Sequence, residues 1–290
     1  MKQIRIVLAV IAALAFAAPA IAQQPVAVDL SSLIGTLAYN YDQGKFSGDF
    51  NMNITGLSPG DVVFVIENAQ GKKVFERTVP CMESYSGDDT PSCYTSSSEG
   101  DEAKPYDAQP GKHTLKILSG GKPVYEFIYN ITVKTEYEYK NVYVTGDWDK
   151  TAAINFASEP GLTVRVPMGD PAACGGSSED AQVQLLRNGE LVGRGHTEGY
   201  FYPSCSTTET SFMIFTTGPD HLTEWISGKK LIFREGQYEL KVFRNRKLDK
   251  TYSFKLEEGG VTSAPPAGLQ AGLLPGRIIS SEQEFVIYQK

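Results

Sequence analysis

The sequence contains few of the residues that build metal centres and covalent active sites. Among its 290 residues are only four cysteines and three histidines. No two cysteines stand in the C-x2-C spacing of a structural zinc site, and no G-x-S-x-G motif provides the nucleophile of a typical serine hydrolase. We therefore predict no metal and no cofactor, and we expect a protein that is not an enzyme.

A surplus of positive charge is also lacking. The chain has 27 lysines and arginines against 34 aspartates and glutamates, which gives a formal net charge of −7. Proteins that bind nucleic acid or anionic lipid rely on basic patches. The acidic balance therefore argues against both as partners.

Hydrophobic runs that could span a bilayer are absent, and the one long apolar run stands near the start. Lys2 and Arg5 precede an apolar stretch over residues 6–18, and an A-x-A motif ends at Ala22. These three parts are typical of a secretory signal peptide, whereas a transmembrane helix needs about 20 apolar residues. We predict a bacterial signal peptide over residues 1–22, cleaved after Ala22. The mature chain is then expected to be periplasmic or secreted, with no transmembrane segment.

Helical periodicity is nearly absent from the rest of the chain. Apolar residues alternate with polar ones, as at Phe50, Met52 and Ile54, and Gly and Pro interrupt stretches rich in Tyr, Val, Ile and Phe. This pattern predicts many short, half-buried strands and hence an all-β fold. The one helix-like segment covers about residues 219–226.

An internal repeat divides the chain. Residues 111–131 align without a gap on residues 236–256, with four identities and large apolar residues at matching positions. Three matches in the same order indicate two homologous units. The two upstream matches pair residues 63–68 with 183–188, and residues 91–93 with 203–205.

The repeat sets the predicted domain limits. We predict a first β domain over residues 26–135 and a second over residues 136–258. Residues 259–281 are rich in Gly, Pro and Ala, which is typical of a linker. The apolar run within residues 282–290 predicts a C-terminal strand, which we expect to add to a sheet of its own chain because the linker keeps it close.

The even number of cysteines favours disulfides in an exported protein. Cys81, Cys93, Cys174 and Cys205 can form two bridges in three ways. Each predicted domain contains two of them, which favours the pairs Cys81–Cys93 and Cys174–Cys205. We expect these cysteines to lie in loops, which the disulfides would staple.

The second repeat begins with a pattern known from immunoglobulin-like domains. Those sandwiches carry a corner tyrosine two residues before a cysteine. Here Tyr238 stands two residues before Leu240, and His113 and Leu115 take the same positions in the first repeat. At the level of fold, the chain resembles tandem bacterial immunoglobulin-like domains. The resemblance implies two tandem immunoglobulin-like β-sandwich domains after the cleaved signal peptide, but it implies no function.

Aromatic residues beside the cysteines are the candidate binding residues. Tyrosine supplies a large contact area at a small entropic cost, so aromatic loop tips held by a disulfide suit a binding surface. The alternative is that these rings cap the ends of the sandwiches. The candidates are Tyr85, Tyr94, Tyr200, Phe201 and Tyr202.

A cluster of acidic residues accompanies them. The segment over residues 83–107 carries seven carboxylates, and calcium is bound by six to eight oxygens. The spacing of an EF-hand is missing, so a solvated acidic loop is the favoured interpretation.

These observations predict a non-enzymatic envelope or secreted protein that presents disulfide-stapled loops to a protein or glycan partner. A two-domain periplasmic chaperone is the first alternative, although it would need a basic residue between the domains and none is identified. An atypical secreted hydrolase is the second, because a Ser-His-Asp site needs only one residue of each kind.

Overall fold

The computed structural model describes residues 26–39, 41–42, 44–84, 90–96, 105–136, 138–155, 162–168, 180–196, 208–217, 223–225, 235–257, 260–264, 273–274 and 284–290. These ranges contain 22 strands, one α-helix and one 3-10 helix, which confirms the predicted all-β class. The helices are α1 (Leu30–Tyr39) and the 3-10 helix Asp147–Lys150. The strands up to the 3-10 helix are β1 (Ala27–Asp29), β2 (Tyr41–Asp42), β3 (Lys45–Phe46), β4 (Met52–Thr55), β5 (Gly60–Asn68), β6 (Lys73–Glu83), β7 (Ser92–Thr95), β8 (Tyr106–Asp107), β9 (Gly111–Ser119), β10 (Lys122–Glu136) and β11 (Tyr139–Gly146). The strands after it are β12 (Thr151–Asn155), β13 (Thr163–Met168), β14 (Ala181–Arg187), β15 (Glu190–His196), β16 (Thr208–Thr217), β17 (Thr223–Trp225), β18 (Gly236–Arg244), β19 (Lys247–Glu257), β20 (Gly260–Thr262), β21 (Leu273–Leu274) and β22 (Glu284–Gln289).

The predicted helix is wrong in position. Part of residues 219–226 forms strand β17, which pairs with β16, whereas the helix lies at α1. The backbone amide of Ser32 donates to Oδ1 of Asp29 at 2.7 Å, which caps the first turn. The apolar positions of α1 recur at helical spacing and are almost fully buried: Leu30, Leu33, Ile34 and Leu37.

The first large sheet, here called the curled sheet, has nine strands. Their order is β11-β10-β9-β5-β6-β7-β4-β1-β21. Helix α1 contacts β1 and β4 near one end of this order and β11 at the other. Its buried apolar side chains belong to the same core as the sheet, so the helix fills the space between the two ends. A small sheet of β2, β3 and β8 adds the ring of Phe46 to this core.

The second sheet contains a closed barrel of eight strands. The order β13-β12-β22-β19-β18-β14-β15-β16 returns to β13, because β13 pairs with β16 as well as with β12. Strand β17 pairs with the end of β16, and β20 pairs with the end of β19. The interior is filled by apolar side chains, among them Phe212, Tyr238 and Tyr252. The barrel therefore has a packed core.

The curled sheet and the barrel share one topology. The comparison takes the eight strands of the curled sheet from β11 to β1 and the eight barrel strands from β22 to β12. If each set is numbered 1 to 8 along the chain, both sheets have the order 8-7-6-3-4-5-2-1. The repeated hairpins β9–β10 and β18–β19 also have the same register. Gly111 pairs with Ile131 as Gly236 pairs with Leu256, and both hairpins have an irregularity at the matching point near their turn.

The upstream match is wrong by one residue. In the curled sheet, Phe64 of β5 pairs with Ile117 of the repeated hairpin. In the barrel, Val183 of β14 pairs with Val242, which is the residue equivalent to Ile117. Phe64 is thus the structural counterpart of Val183, where the sequence alignment paired Val63 with it. Because side chains alternate along a strand, a shift of one residue would exchange the buried and exposed faces.

The two large sheets do not divide clearly into two immunoglobulin-like sandwiches. A sandwich has two separate sheets with free edges, whereas hydrogen bonding in the barrel is continuous around its circumference. The sequence-based boundary between residues 135 and 136 falls within the last two residues of β10, which forms a hairpin of the curled sheet with β11. The predicted linker, residues 259–281, contains β20 and β21, and β21 pairs with β1.

Each sheet has its own hydrophobic core. The core of the curled sheet runs from Val28 to Trp148, whose ring stacks on Phe127 at 4.9 Å. The core of the barrel runs from Ala152 to Ile287. The cores therefore meet in sequence at the 3-10 helix.

Candidate functional site

One of the five candidate binding residues lies within the described part of the chain. Tyr94 is in the middle of β7. The other candidates, Tyr85, Tyr200, Phe201 and Tyr202, lie outside the described residues.

The disulfide Cys81–Cys93 is present as predicted, with Cα atoms 5.4 Å apart. Cys174 and Cys205 lie outside the described residues. The expectation that the cysteines lie in loops is wrong for the first pair. Cys81 is on β6 and Cys93 is on the adjacent strand β7, and both are buried. The bridge therefore fixes two neighbouring strands and closes the connection between them.

The alternation of β7 places Tyr94 on the outer face of the curled sheet. Its neighbours Cys93 and Thr95 are fully buried, and Tyr94 between them is partly exposed. Tyr94 pairs with Met82 of β6 on one side and with Asn53 of β4 on the other. Directly opposed residues point to the same face of a sheet. We call Met82, Tyr94 and Asn53 the Tyr94 row.

Met82 makes this row unusual. Its side chain is 51% exposed, and only one other large apolar residue of the described chain, Leu248, is similarly exposed. Sequence analysis missed Met82, although its position next to the inward Cys81 is a signal that it faces outward. The row thus combines a flexible thioether, an aromatic ring and an amide on one outer face.

The strands behind the row are firmly held. The buried hydroxyl of Thr95 accepts a hydrogen bond from the amide of Met52 at 3.0 Å and donates to the carbonyl oxygen of Phe50 at 3.1 Å. The amide of Asn53 donates to Oγ of Ser32 in α1 at 3.2 Å. Together with the disulfide, these contacts fix β4, β6 and β7 relative to one another, so the row loses little freedom on binding.

A basic residue lies where the curled sheet and the barrel touch. Nη1 of Arg165, on β13, donates to Oγ of Ser31 in α1 at 2.8 Å, and Ser31 donates to Oε2 of Glu209 at 2.5 Å. Arg165 and Glu209 also form an ion pair at 3.6 Å. A chaperone would use such an arginine to hold the carboxylate of its client. Here the carboxylate of Glu209 already occupies that position.

Lys250 of β19 links the 3-10 helix to strand β13. This largely buried amine donates to the carbonyl oxygens of Asp149 in the 3-10 helix and Pro167 in β13, at 3.0 and 2.8 Å. Burial lowers the pKa of Lys250. Two carbonyl partners and a buried position are the features of a structural lysine.

A shallow groove of about 510 Å³ lies on the outside of the barrel. Its walls include β19, residues 262–264 and the end of β22. Two lysines reach it, but Lys255 is paired with Glu257, and Lys290 with Glu239. The groove therefore offers hydroxyl and amide groups with balanced charge, and no concentrated positive field for an anion.

The histidines do not form a catalytic arrangement in the described part of the chain. His113 is buried, its Nδ1 is 3.0 Å from the carbonyl oxygen of Gly111, and its ring stacks on Tyr129. Burial lowers the pKa of His113. No side chain of His196 is described, and His221 lies outside the described residues. His113 is accordingly a core residue without access to a substrate.

Three tyrosines, Tyr41, Tyr106 and Tyr129, belong to or pack against the core of the curled sheet that also contains His113. The hydroxyl groups of Tyr41 and Tyr106 are 2.6 Å apart. Burial raises the pKa of Tyr41, Tyr106 and Tyr129. All three hydroxyls stay protonated, and those of Tyr41 and Tyr106 hydrogen-bond to each other within the curled sheet.

The possible calcium site is only partly described. Glu83 ends β6 and Asp107 ends β8, whereas Asp88, Asp89, Glu99, Asp101 and Glu102 lie outside the described residues. Within the described ranges, no group of three or more His, Cys, Asp or Glu side chains is arranged to hold a metal ion.

No protein-family model and no curated protein matches the chain significantly. Among the residues that the structure describes, no helix has both the length and the apolar character needed to cross a membrane.

Proposed function

We propose that the protein is an exported, non-enzymatic binding protein that contacts a protein or glycan partner through the Tyr94 row. The observation that carries this proposal is the half-exposed side chain of Met82, directly opposite Tyr94 on two strands joined by a disulfide. Exposed apolar side chains on a rigid backing suit a contact surface, because burying them gains free energy at a small entropic cost.

Export is part of the proposal and has two supports. The features of residues 1–22 are those of a secretory signal peptide. The disulfide between Cys81 and Cys93 suits a chain that folds in an oxidising compartment, because cytosolic thiols are kept reduced.

The two alternatives have less support. A client-binding chaperone would need a free cation between its domains, and Arg165 is engaged by Ser31 and Glu209. A hydrolase would need an accessible base, and His113, the one histidine whose side chain the structure describes, is buried.

Affinity capture tests the binding function. The disulfide-bonded protein is immobilised and exposed to an envelope fraction of its native bacterium, and retained proteins and glycans are measured. The altered protein carries Met82→Ala and Tyr94→Ala. The matched control is Leu248→Ala, which removes the other half-exposed apolar side chain, on the barrel. We expect specific capture by the unaltered protein and the control, and at least a tenfold loss in the double variant.

Capture that survives in the double variant, or that Leu248→Ala abolishes instead, would reject the Tyr94 row. Near-ultraviolet circular dichroism shows whether each variant keeps its fold.

We further propose that the curled sheet and the barrel are copies of one immunoglobulin-like β unit. Their shared strand order and hairpin register support this origin. So do the stacked rings at the corner positions, His113 on Tyr129 at 5.6 Å and Tyr238 on Phe254 at 5.1 Å. Replacing residues 236–256 by residues 111–131 tests it, since a barrel with the transplanted hairpin should still melt cooperatively.

A further inference from the structure

The strand that closes the barrel is held weakly on one side. Strand β22 pairs with β12 over five residue pairs but with β19 over only two, Tyr252 with Gln289 and Ser253 with Tyr288. Its counterpart in the curled sheet, β11, is joined to β10 by a short turn and eight residue pairs. The barrel is therefore closed by a strand that reaches its place from a distance and makes a short ladder there.

A side chain from a third segment stands in this short ladder. The amide of Tyr288 donates to Oγ of Ser263 at 3.1 Å, and Ser263 donates to the carbonyl oxygen of Ser253 at 2.7 Å. The amide of Lys290 donates to the carbonyl oxygen of Thr251 at 2.9 Å. Part of the contact between β22 and β19 thus depends on the hydroxyl of Ser263.

The rest of the barrel does not need β22 for its ladders. Strands β12, β13 and β16 pair with one another in succession, and β19 keeps its long ladder with β18. Within β22, Ile287 is the fully buried residue, and Phe285 packs partly against the core. Removing β22 would open a slot between β12 and β19, while each of these strands keeps the ladder to its other neighbour.

We propose that this slot is an exchange site, which takes residues 284–289 from a second copy of the chain. A second copy presents the same strand with the same buried Ile287, so the contacts in the exchanged dimer equal those in the monomer. The two forms differ only in the entropy of linking the strand, and concentration then sets the balance between them.

A strand peptide tests the proposal on the full, disulfide-bonded chain. A fluorescein-labelled peptide of residues 282–290 is incubated with the protein, and its incorporation is followed by fluorescence anisotropy and by gel filtration. The control peptide carries Ile287→Asp. We expect slow incorporation of the first peptide and none of the second. Concentrated protein should also contain a dimer, by light scattering, that returns slowly to monomer on dilution.

Two variants of the chain test whether the contact between β19 and β22 controls the rate of strand exchange. Ser263→Ala removes the hydroxyl between β19 and β22 and should speed incorporation about fivefold, which is the effect of one hydrogen bond. Ser211→Ala removes an exposed serine on β16 and should leave the rate unchanged.

The proposal is overturned if the unaltered chain takes up no peptide over several days, or takes up both peptides equally. Peptide uptake without any dimer of the chain would show a site for foreign strands and would overturn the second copy as occupant. If Ser263→Ala does not fold, the two peptides on the unaltered chain still decide the outcome.

Discussion

The curled sheet and the barrel have the same strand order but different endings. In the curled sheet, β11 comes after β10 through a short turn, and α1 fills the space between β11 and β1. In the barrel, the equivalent strands β22 and β12 pair directly and close the sheet. The same strand order therefore occurs in an open sheet whose gap is filled by a helix and in a closed barrel whose last strand completes the sheet.

The difference lies in the element that comes after the edge strand. Strand β1 runs directly into α1, whose Leu33, Ile34 and Leu37 enter the core of the curled sheet. In the described residues, the element that follows β12 is strand β13, and Ile287 of β22 enters the barrel core. Apolar surface at the gap must be buried by one of the two means.

Truncation after Glu258 should give the largest contrast. It removes β20, β21 and β22, so the barrel loses its closing strand while the curled sheet loses only the two residues of β21. We expect the barrel to lose about 5 kcal/mol or more, which is enough to unfold a marginal domain. Hydrogen exchange should then show fast amides in β12–β19 and slow ones in β5–β10. Equal protection of both regions would show that β22 is dispensable for the barrel.

Gly195→Ala should break the barrel at a second point. A Cβ at Gly195 would lie 2.3 Å from the carbonyl oxygen of Met213 in β16, so β15 and β16 would have to separate. We expect a loss of about 3 kcal/mol in urea denaturation. Gly35→Ala in α1 is the matched control, since a Cβ there meets nothing within 4 Å. It should be neutral or stabilise by about 1 kcal/mol, because alanine favours the helix.

Replacing both Cys81 and Cys93 by serine should destabilise the curled sheet alone. The bridge joins residues 12 apart, and loss of such a loop costs about 3 kcal/mol in the chain-entropy model. Hydrogen exchange should speed up in β6 and β7 and stay unchanged in β14 and β15. A uniform change in both regions would indicate that the two sheets unfold as one unit.

His113→Phe should produce the smallest effect, visible in the pH dependence of stability. Burial lowers the pKa of His113 in the folded state, so the unfolded chain binds the proton more tightly. The stability is complete above the unfolded pKa of about 6.5 and falls as the pH drops below it. Denaturation at pH 7.5 and pH 5 should show a smaller loss for the variant than for the unaltered chain.

Local patterns allowed the repeated hairpin and the first disulfide to be predicted. Strand alternation is visible over a few residues, and the two cysteines of the first disulfide are only 12 residues apart. The predicted pair Cys81–Cys93 is confirmed. The one-residue error at Phe64 arose because the sequence match aligned Asn68 with Asn188, whereas the ladders to the repeated hairpins make Asn68 equivalent to Arg187. The helix was missed because Asp29 and the spacing of Leu30, Leu33 and Ile34 were outweighed by the strand pattern around them.

The C-terminal strand was expected to join a sheet of its own chain, but its partners β12 and β19 could not be predicted, because they lie far from it in sequence. The pairing of β12 with β22 joins Ala152 to Ile287, and no local pattern specifies that partner. For the candidate site, Tyr94 was predicted from its place beside Cys93. Met82 was not, because its importance arises from the register of β6 on β7.

The late position of β22 in the chain has a consequence for biosynthesis. Strands β1–β11 precede every barrel strand in the chain, and residues 284–289 come after every other barrel strand that the structure describes. The curled sheet can thus form while the barrel still waits for its final strand. Any nascent chain that stops before Glu284 is left with an unclosed sheet, which a protease can recognise and remove.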